Sequence, residues 1–360
     1  MVIHVQLLSL LFTLLLAPAS PAAPLSTTVA PSAFAAAAAG HNKLLRAGYL
    51  RLSSVLSPAD ARSWAAVASS AVASRMSNCA SRGASPAQPC EPTPPPGERA
   101  SFVRARALAP LLPLTHASHA ASLAAVAAAA MNVTALRLYS ASVFLKRPGD
   151  GLSLWHQDAA AMPLRSDKVA TLWMALEDVP AAAGPLQFLR KSHLPGVKLP
   201  SLRDLSPRER VMAARLPAST AEVERDTGLR ATTAQAMAAG DATLHLGWTL
   251  HGAAENAAAV DRVALAITFF EDGARVDPGL LEHVPAGGRQ VAGKGVRFIG
   301  EDGGELVVNL LADDRGTWEP WLHARPPLLV PGAPARHPQL TPLVFNRSAF
   351  ARGAQPRNEL

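Results

Sequence analysis

The stretch VTALRLYSASVFLKRPGDGLSLWHQD, residues 133–158, marks the point where the character of this chain changes. Just upstream, the alanine-rich run from Ser118 to Met131 reads as a helix. From Val133 onward the sequence breaks into short β-rich runs separated by Gly and Pro. The strands expected are Leu136–Leu145, Ala170–Leu176, Ala242–Leu246 and Val263–Phe270. Short strands bounded by turn residues, without regularly alternating helices, point to a β-sandwich or jelly roll.

At 360 residues the chain is within reach of one elaborated β domain. The hydrophobic content of 49% is swollen by alanine and aromatics supply only 5%, so the core has to come from local Leu, Val, Ile, Phe and Trp clusters. Charged residues at 17% exclude a wholly disordered polar chain. Beyond the N-terminus no apolar run reaches the length of about 18 residues that a spanning helix needs, which excludes a polytopic membrane protein. The 34 Lys+Arg against 27 Asp+Glu leave a net +7. The basic residues are scattered, as at Arg203, Arg208, Arg210 and Arg215, so no nucleic-acid partner is expected. A mild attraction for small anionic substrates is compatible with that charge.

Leu7–Leu16 (LLSLLFTLLL) followed by small residues to Ala22 is the pattern of a signal peptide over residues 1–22, cut after Ala19 or Ala22. An uncleaved anchor is the alternative; after cleavage no stable membrane insertion is expected. Asn132-Val133-Thr134 and Asn346-Arg347-Ser348 are glycosylation sequons, and Cys79 and Cys90 form a candidate local disulfide. The ending Arg357-Asn358-Glu359-Leu360 resembles a retrieval signal of the KDEL type. Together these favour the endoplasmic reticulum lumen, with secretion or anchoring as alternatives. Residues 23–42 read as a flexible lead-in and 43–275 as the main domain. Within that domain lie a Pro-rich loop at 76–101 and an insertion or lid at 197–239. Residues 276–360 read as an extension packing on it. Leu44–Leu52 should pass from a helix end through Gly48 into a strand, and Ser57-Pro58 should start a helix.

Trp155-His156-Gln157-Asp158 places His156 and Asp158 two residues apart, which on a strand turns both side chains to the same face. Alone, a His-x-Asp pair says little. Gly240-Asp241-Ala242-Thr243-Leu244-His245-Leu246, leading to His251-Gly252, offers a third ligand in His245 or His251. Two imidazoles and one carboxylate on one face make the facial triad of non-haem Fe(II) oxygenases, which leaves three positions open. Arg262, eleven residues beyond His251 on the next expected strand, has the planar fork for clamping a carboxylate; a structural salt bridge is the other reading.

These blocks, with Leu145-Lys146-Arg147-Pro148-Gly149, Lys168–Val179, Gly184–His193 and His251–Asn256, resemble the phytanoyl-CoA dioxygenase family of Fe(II)/2-oxoglutarate oxygenases over roughly residues 43 to 275. The resemblance implies a mainly β fold: a double-stranded β-helix (jelly-roll, cupin-like) core with flanking helices. It implies that His156, Asp158 and His251 bind Fe(II), that Arg262 holds 2-oxoglutarate, and that Trp173, Ser142 and Gln157 lie around that co-substrate. It further implies O2 as second co-substrate, ascorbate as supporting reductant, a small-molecule or lipid-like substrate, and release of succinate and CO2. The carboxylate at Asp158 favours hydroxylation over halogenation, because related halogenases keep a small residue there for chloride. Two departures stand out. Ala253 replaces a frequent Ser, and Arg190-Lys191 replaces the usual Pro-Gly of a turn, which puts that turn's shape in question.

Overall fold

The computed structural model describes residues 28–82, 103–106, 117–162, 164–195, 219–276, 296–299, 305–308, 334–335 and 343–348. Five α-helices occur there: α1 (Pro31–Ala39), α2 (His41–Ala47), α3 (Pro58–Arg82), α4 (Ala117–Met131) and α5 (Thr220–Thr227). The strands are β1 (Tyr49–Leu52), β2 (Val103–Arg106), β3 (Ala135–Lys146), β4 (Ser153–His156), β5 (Leu164–Arg165), β6 (Val169–Ala175) and β7 (Leu186–Phe188). They continue with β8 (Ala242–Leu246), β9 (His251–Ala253), β10 (Arg262–Glu271), β11 (Arg275–Val276), β12 (Val296–Ile299), β13 (Glu305–Val308) and β14 (Leu343–Asn346).

The main sheet runs β1-β8-β6-β10-β3-β14, with β2 also on β3, and a smaller sheet runs β4-β9-β7; all pairs are antiparallel. β5–β11 and β12–β13 form two further two-stranded sheets, and this mainly β, antiparallel architecture is the jelly-roll type expected. Strand alternation explains its layers. On β10, Val263, Leu265, Ile267 and Phe269 join Leu172 and Met174 of β6, Leu244 of β8, and Leu123 and Val126 of α4 in the principal core. The intervening residues, Arg262, Ala264, Ala266 and Thr268, form the other face, which is small or polar and also buried. One face is thus sealed by helices and the other lines the site.

Local signals position the frame. Gly48 closes α2 at φ 86°, and a Cβ there would come within 2.5 Å of His193 Nδ1 and Thr249 Oγ1. Ser57 Oγ accepts from the Asp60 amide at 3.1 Å, starting α3 at Pro58. Asn132, at φ 53°, stops α4 in the left-handed conformation that Asn tolerates.

The structure corrects three readings. Residues 23–42 are not all a flexible lead-in: α1 begins with Pro31 and buries Ala33 and Ala37 in the principal core. Alanine has high helix propensity and packs closely but leaves no apolar stripe to read. The loop at 76–101 starts later, because α3 continues to Arg82 and nothing in Met76–Arg82 breaks a helix. Of the segment 197–239, residues 219–239 are built into the wall of the fold. A capping box of Ser219 and Glu222 starts α5, Val223 packs with Trp155, Leu189 and Leu250, and Met237 bridges to Val179. In the C-terminal extension, β14 is an edge strand of the main sheet. The signal segment, the Cys79–Cys90 pairing and the Arg357–Leu360 ending lie outside the described residues and side chains. Among the described residues no helix is long and apolar enough to cross a membrane.

Candidate metal centre

His156 on β4 and His251 on β9 are direct partners in register across the small sheet. Their rings lie 4.2 Å apart between centroids. Strand alternation sends the neighbours of His156 the other way. Trp155 enters a core with Leu189, Val223 and Leu250, and Gln157 donates its amide to the Trp248 carbonyl at 2.5 Å. Asp158 opens a 3-10 turn that follows β4, and its carboxylate returns toward both imidazoles. Its Oδ1 lies 3.6 Å from His156 Nε2 and 3.8 Å from His251 Nε2. One ligand atom from each of the three residues falls within 4.8 Å of the others, the size of a single metal site.

The hydrogen bonds set the donor atoms. His156 Nδ1 lies 2.7 Å from the Leu154 carbonyl and His251 Nδ1 lies 2.9 Å from the Thr249 carbonyl. A carbonyl only accepts, so each Nδ1 carries the proton and each Nε2 keeps a lone pair facing Asp158. Burial, with His245 nearby, pushes the His251 imidazole down to about 4, so it is neutral at ordinary pH. Burial alone would raise the Asp158 carboxyl, but His251, a hydrogen bond from His245 and His156 together hold it well below its usual range. Two imidazoles, each with its Nε2 turned inward, and one ionised carboxylate therefore face a common point. This donor set fits Fe(II) and leaves coordination positions open.

The two candidates for third ligand end in different roles. His251 joins the triad, while His245 approaches from β8 of the main sheet and places Nε2 3.2 Å from Asp158 Oδ2. Thr171 of β6 also donates to Oδ2, at 2.6 Å. Sequence reading missed Thr171, although its place two residues before Trp173 on an expected strand put both on one face.

Beyond the triad the inner face of the main sheet carries a second, buried group of polar residues. Ser142, Ala266 and Trp173 lie in one row across β3, β10 and β6, and Lys146 pairs with Arg262 at its end. Arg262 is only 2% exposed, donates to the Gly184 carbonyl through Nη1, and lies 5.5 Å over the Trp173 ring. Arg262 Nε and Ser142 Oγ are buried without a hydrogen-bond partner, which leaves both able to meet a polar ligand. The planar fork of Arg262 is matched to a carboxylate. Lys146, fully buried and not anticipated as part of the site, donates to the Ala254 carbonyl at 2.7 Å. Burial and the adjacent Arg262 lower its ammonium to about 7. Gln157 is not on this face; its bond to Trp248 makes it a brace for the loop that carries His251.

A model of the phytanoyl-CoA dioxygenase (PhyH) family matches residues 44–264. The chain belongs to this family. Within the PhyH match, the turn whose Pro-Gly is replaced keeps a left-handed residue, with Lys191 at φ 70°. It still serves the site, because Ser192 Oγ accepts from the Leu250 amide at 2.8 Å, one residue before His251. No curated protein matches the sequence. Among solved structures, the non-heme alpha ketoglutarate dependent epimerase SnoN from nogalamycin biosynthesis is 21% identical, with a TM-score of 0.52 over 88% of this chain and 99% of SnoN. SnoN in complex with Fe3+, alpha ketoglutarate and nogalamycin RO gives a TM-score of 0.51 at the same identity, over 88% and 100% of the two chains. The carbocyclase SnoK from the same biosynthesis is 18% identical, with a TM-score of 0.49 over 71% of this chain and 89% of SnoK. The SnoN likeness establishes that this PhyH chain shares the fold of SnoN.

Proposed function

We propose that this PhyH-family chain is an Fe(II)- and 2-oxoglutarate-dependent oxygenase that hydroxylates an unactivated C–H bond of a small or lipid-like substrate, with release of succinate and CO2. The observation that carries the reading is the convergence of His156 Nε2, His251 Nε2 and Asp158 Oδ1 on one point, with both Nδ1 atoms already committed to carbonyls. Iron with 2-oxoglutarate and O2 supplies the oxidising power when bound, and the protein's part is to position and shield.

His156, Asp158 and His251 hold the metal through three ligands and leave the remaining positions open. Arg262, on the far side of small Ala264 and Ala266, clamps the distal carboxylate of 2-oxoglutarate and fixes which end reaches the metal. Trp173 and Phe144 pack over that inner face and exclude water from it. His156 is the ligand nearest solvent, and Leu152 and Leu154, exposed at alternate positions of the same segment, give that side an apolar rim suited to a hydrocarbon portion of the substrate. That SnoN takes Fe3+, alpha ketoglutarate and nogalamycin RO on the same fold supports a small-molecule substrate here.

The test is 2-oxoglutarate turnover by the purified chain with Fe(II), ascorbate and a panel of small and lipid-like compounds. Succinate formation that a compound stimulates, with 18O from O2 appearing in its product, supports hydroxylation. Stimulated turnover with a rearranged or epimerised product retains the oxygenase class and replaces hydroxylation. Metal binding without any succinate favours a silent binding protein, which the intact donor set argues against.

A further inference from the structure

Asp158 offers two oxygens, and the structure treats them differently. Oδ1 faces the two Nε2 atoms of the small sheet, at 3.6 and 3.8 Å. Oδ2 faces the main sheet, where Thr171 Oγ1 at 2.6 Å and His245 Nε2 at 3.2 Å converge on it. Thr171 Oγ1 is also 2.9 Å from Thr268 Oγ1. The directions follow from proton counting. An ionised carboxylate only accepts, so Thr171 gives its one hydroxyl proton to Asp158 and receives one from Thr268. By the same logic His245 carries its proton on Nε2, the opposite tautomer to His156 and His251.

The three residues come from adjacent strands. Thr268, Thr171 and His245 occupy one register row across β10, β6 and β8. Two are β-branched and therefore stiff at χ1. His245 is 1% exposed and packed between the rings of Phe188 and His251, at 5.3 and 4.2 Å between centroids.

We propose that Thr171 and His245, backed by Thr268, are positioning residues of the metal centre: by occupying Asp158 Oδ2 they restrict Asp158 to one-oxygen ligation through Oδ1. This rests on the metal reading above. A carboxylate free to rotate would bind through both oxygens and take up one of the open positions that co-substrate and O2 require. The row converts His245, a plausible ligand by sequence, into a residue that keeps the coordination sphere open.

The experiment is Co(II) titration of the full chain after chelation, followed by the visible absorption of the bound ion, with circular dichroism as fold control. Thr171→Val removes the hydroxyl and nearly keeps the shape, Thr171→Ser restores it, and His245→Phe keeps a ring without the donor. Loss of such an outer partner weakens metal binding about 10- to 100-fold in comparable sites. We expect losses of that order for Thr171→Val and His245→Phe, an altered Co(II) band in both, and near wild-type behaviour for Thr171→Ser. Folded Thr171→Val and His245→Phe proteins that bind Co(II) as tightly as wild type, with an unchanged band, overturn the proposal while leaving the metal reading intact. If wild type itself takes up no Co(II), the metal reading fails and the proposal with it. A lowered melting temperature with unchanged affinity in the folded fraction reduces the row to a structural element and also overturns it.

Discussion

Replacing Arg262 by Lys keeps the charge and removes the fork, and the structure sets the size of the effect. Nη1 is occupied by the Gly184 carbonyl, while Nε is buried with no partner. That leaves Nε and Nη2 as the edge that meets a carboxylate through two parallel bonds. A lysine ammonium at the same place has to choose between Gly184 and the ligand. One hydrogen bond to a charged group contributes about 1.5–3 kcal/mol, and each 1.4 kcal/mol is about tenfold in affinity. Arg262→Lys should therefore weaken 2-oxoglutarate about 10- to 100-fold. Metal affinity should be unchanged, because Arg262 is not in the ligand set. Anaerobic titration of the metal-loaded protein with 2-oxoglutarate, alongside the apparent KM for succinate formation, measures both. If 2-oxoglutarate affinity is retained and only the melting temperature falls, Arg262 is a structural tie for Gly184 and the clamp assignment is wrong.

Other expectations follow from the same geometry. Asp158→Ala should abolish metal binding and succinate formation while the circular dichroism spectrum is retained; wild-type-like turnover would refute the triad. The metal-free protein should lose stability as pH falls. His251 is depressed from 6.5 to about 4, so between those values the unfolded chain binds more protons than the native one. That contribution is complete above about pH 6.5 and declines toward pH 4, by about 2.5 kcal/mol between pH 7 and 4.5; urea titrations at the two pH values that give equal stability would contradict it. Lys191→Gly should stabilise by about 0.5–1 kcal/mol, since relief of the left-handed conformation outweighs the added entropy of the unfolded chain, and thermal unfolding measures it. A fluorescent protein inserted between Ala22 and Thr28, ahead of α1 and leaving Leu360 free, should report the endoplasmic reticulum; cytosolic fluorescence defeats the secretory proposal, and bulk export defeats retrieval alone.

Much of this molecule was legible along the chain because its governing rules are local. The His-x-Asp spacing brings His156 and Asp158 to one site, although Asp158 reaches it from the 3-10 turn after β4 and not from a strand; Gly48 turns a helix end into β1, and Ser57-Pro58 starts α3. The inward row Arg262, Ala264, Ala266, Thr268 was present in the β10 sequence as well. Its meaning was not, because both faces of that strand are buried and hydrophobic patterning separates only buried from exposed. The helix at Pro31–Ala39 escaped for a related reason: alanine packs without leaving a periodic signal.

What tertiary structure alone decided was the division of labour in the site. His245 and His251 lie six residues apart, and spacing makes both plausible ligands. Only the pairing of β9 with β4 sets His251 opposite His156, and only the pairing of β8 with β6 sets His245 beside Thr171. Gln157 joined the expected co-substrate group by its position between two ligands, yet alternation turns it away to Trp248. Lys146 meets Arg262 because β3 and β10, more than a hundred residues apart in sequence, pair in that register. Strand rules determine which side of its own strand a residue occupies; they hold no information about which strand comes to lie opposite. The ligand residue types were therefore readable from the chain, and their partners were set by the sheets.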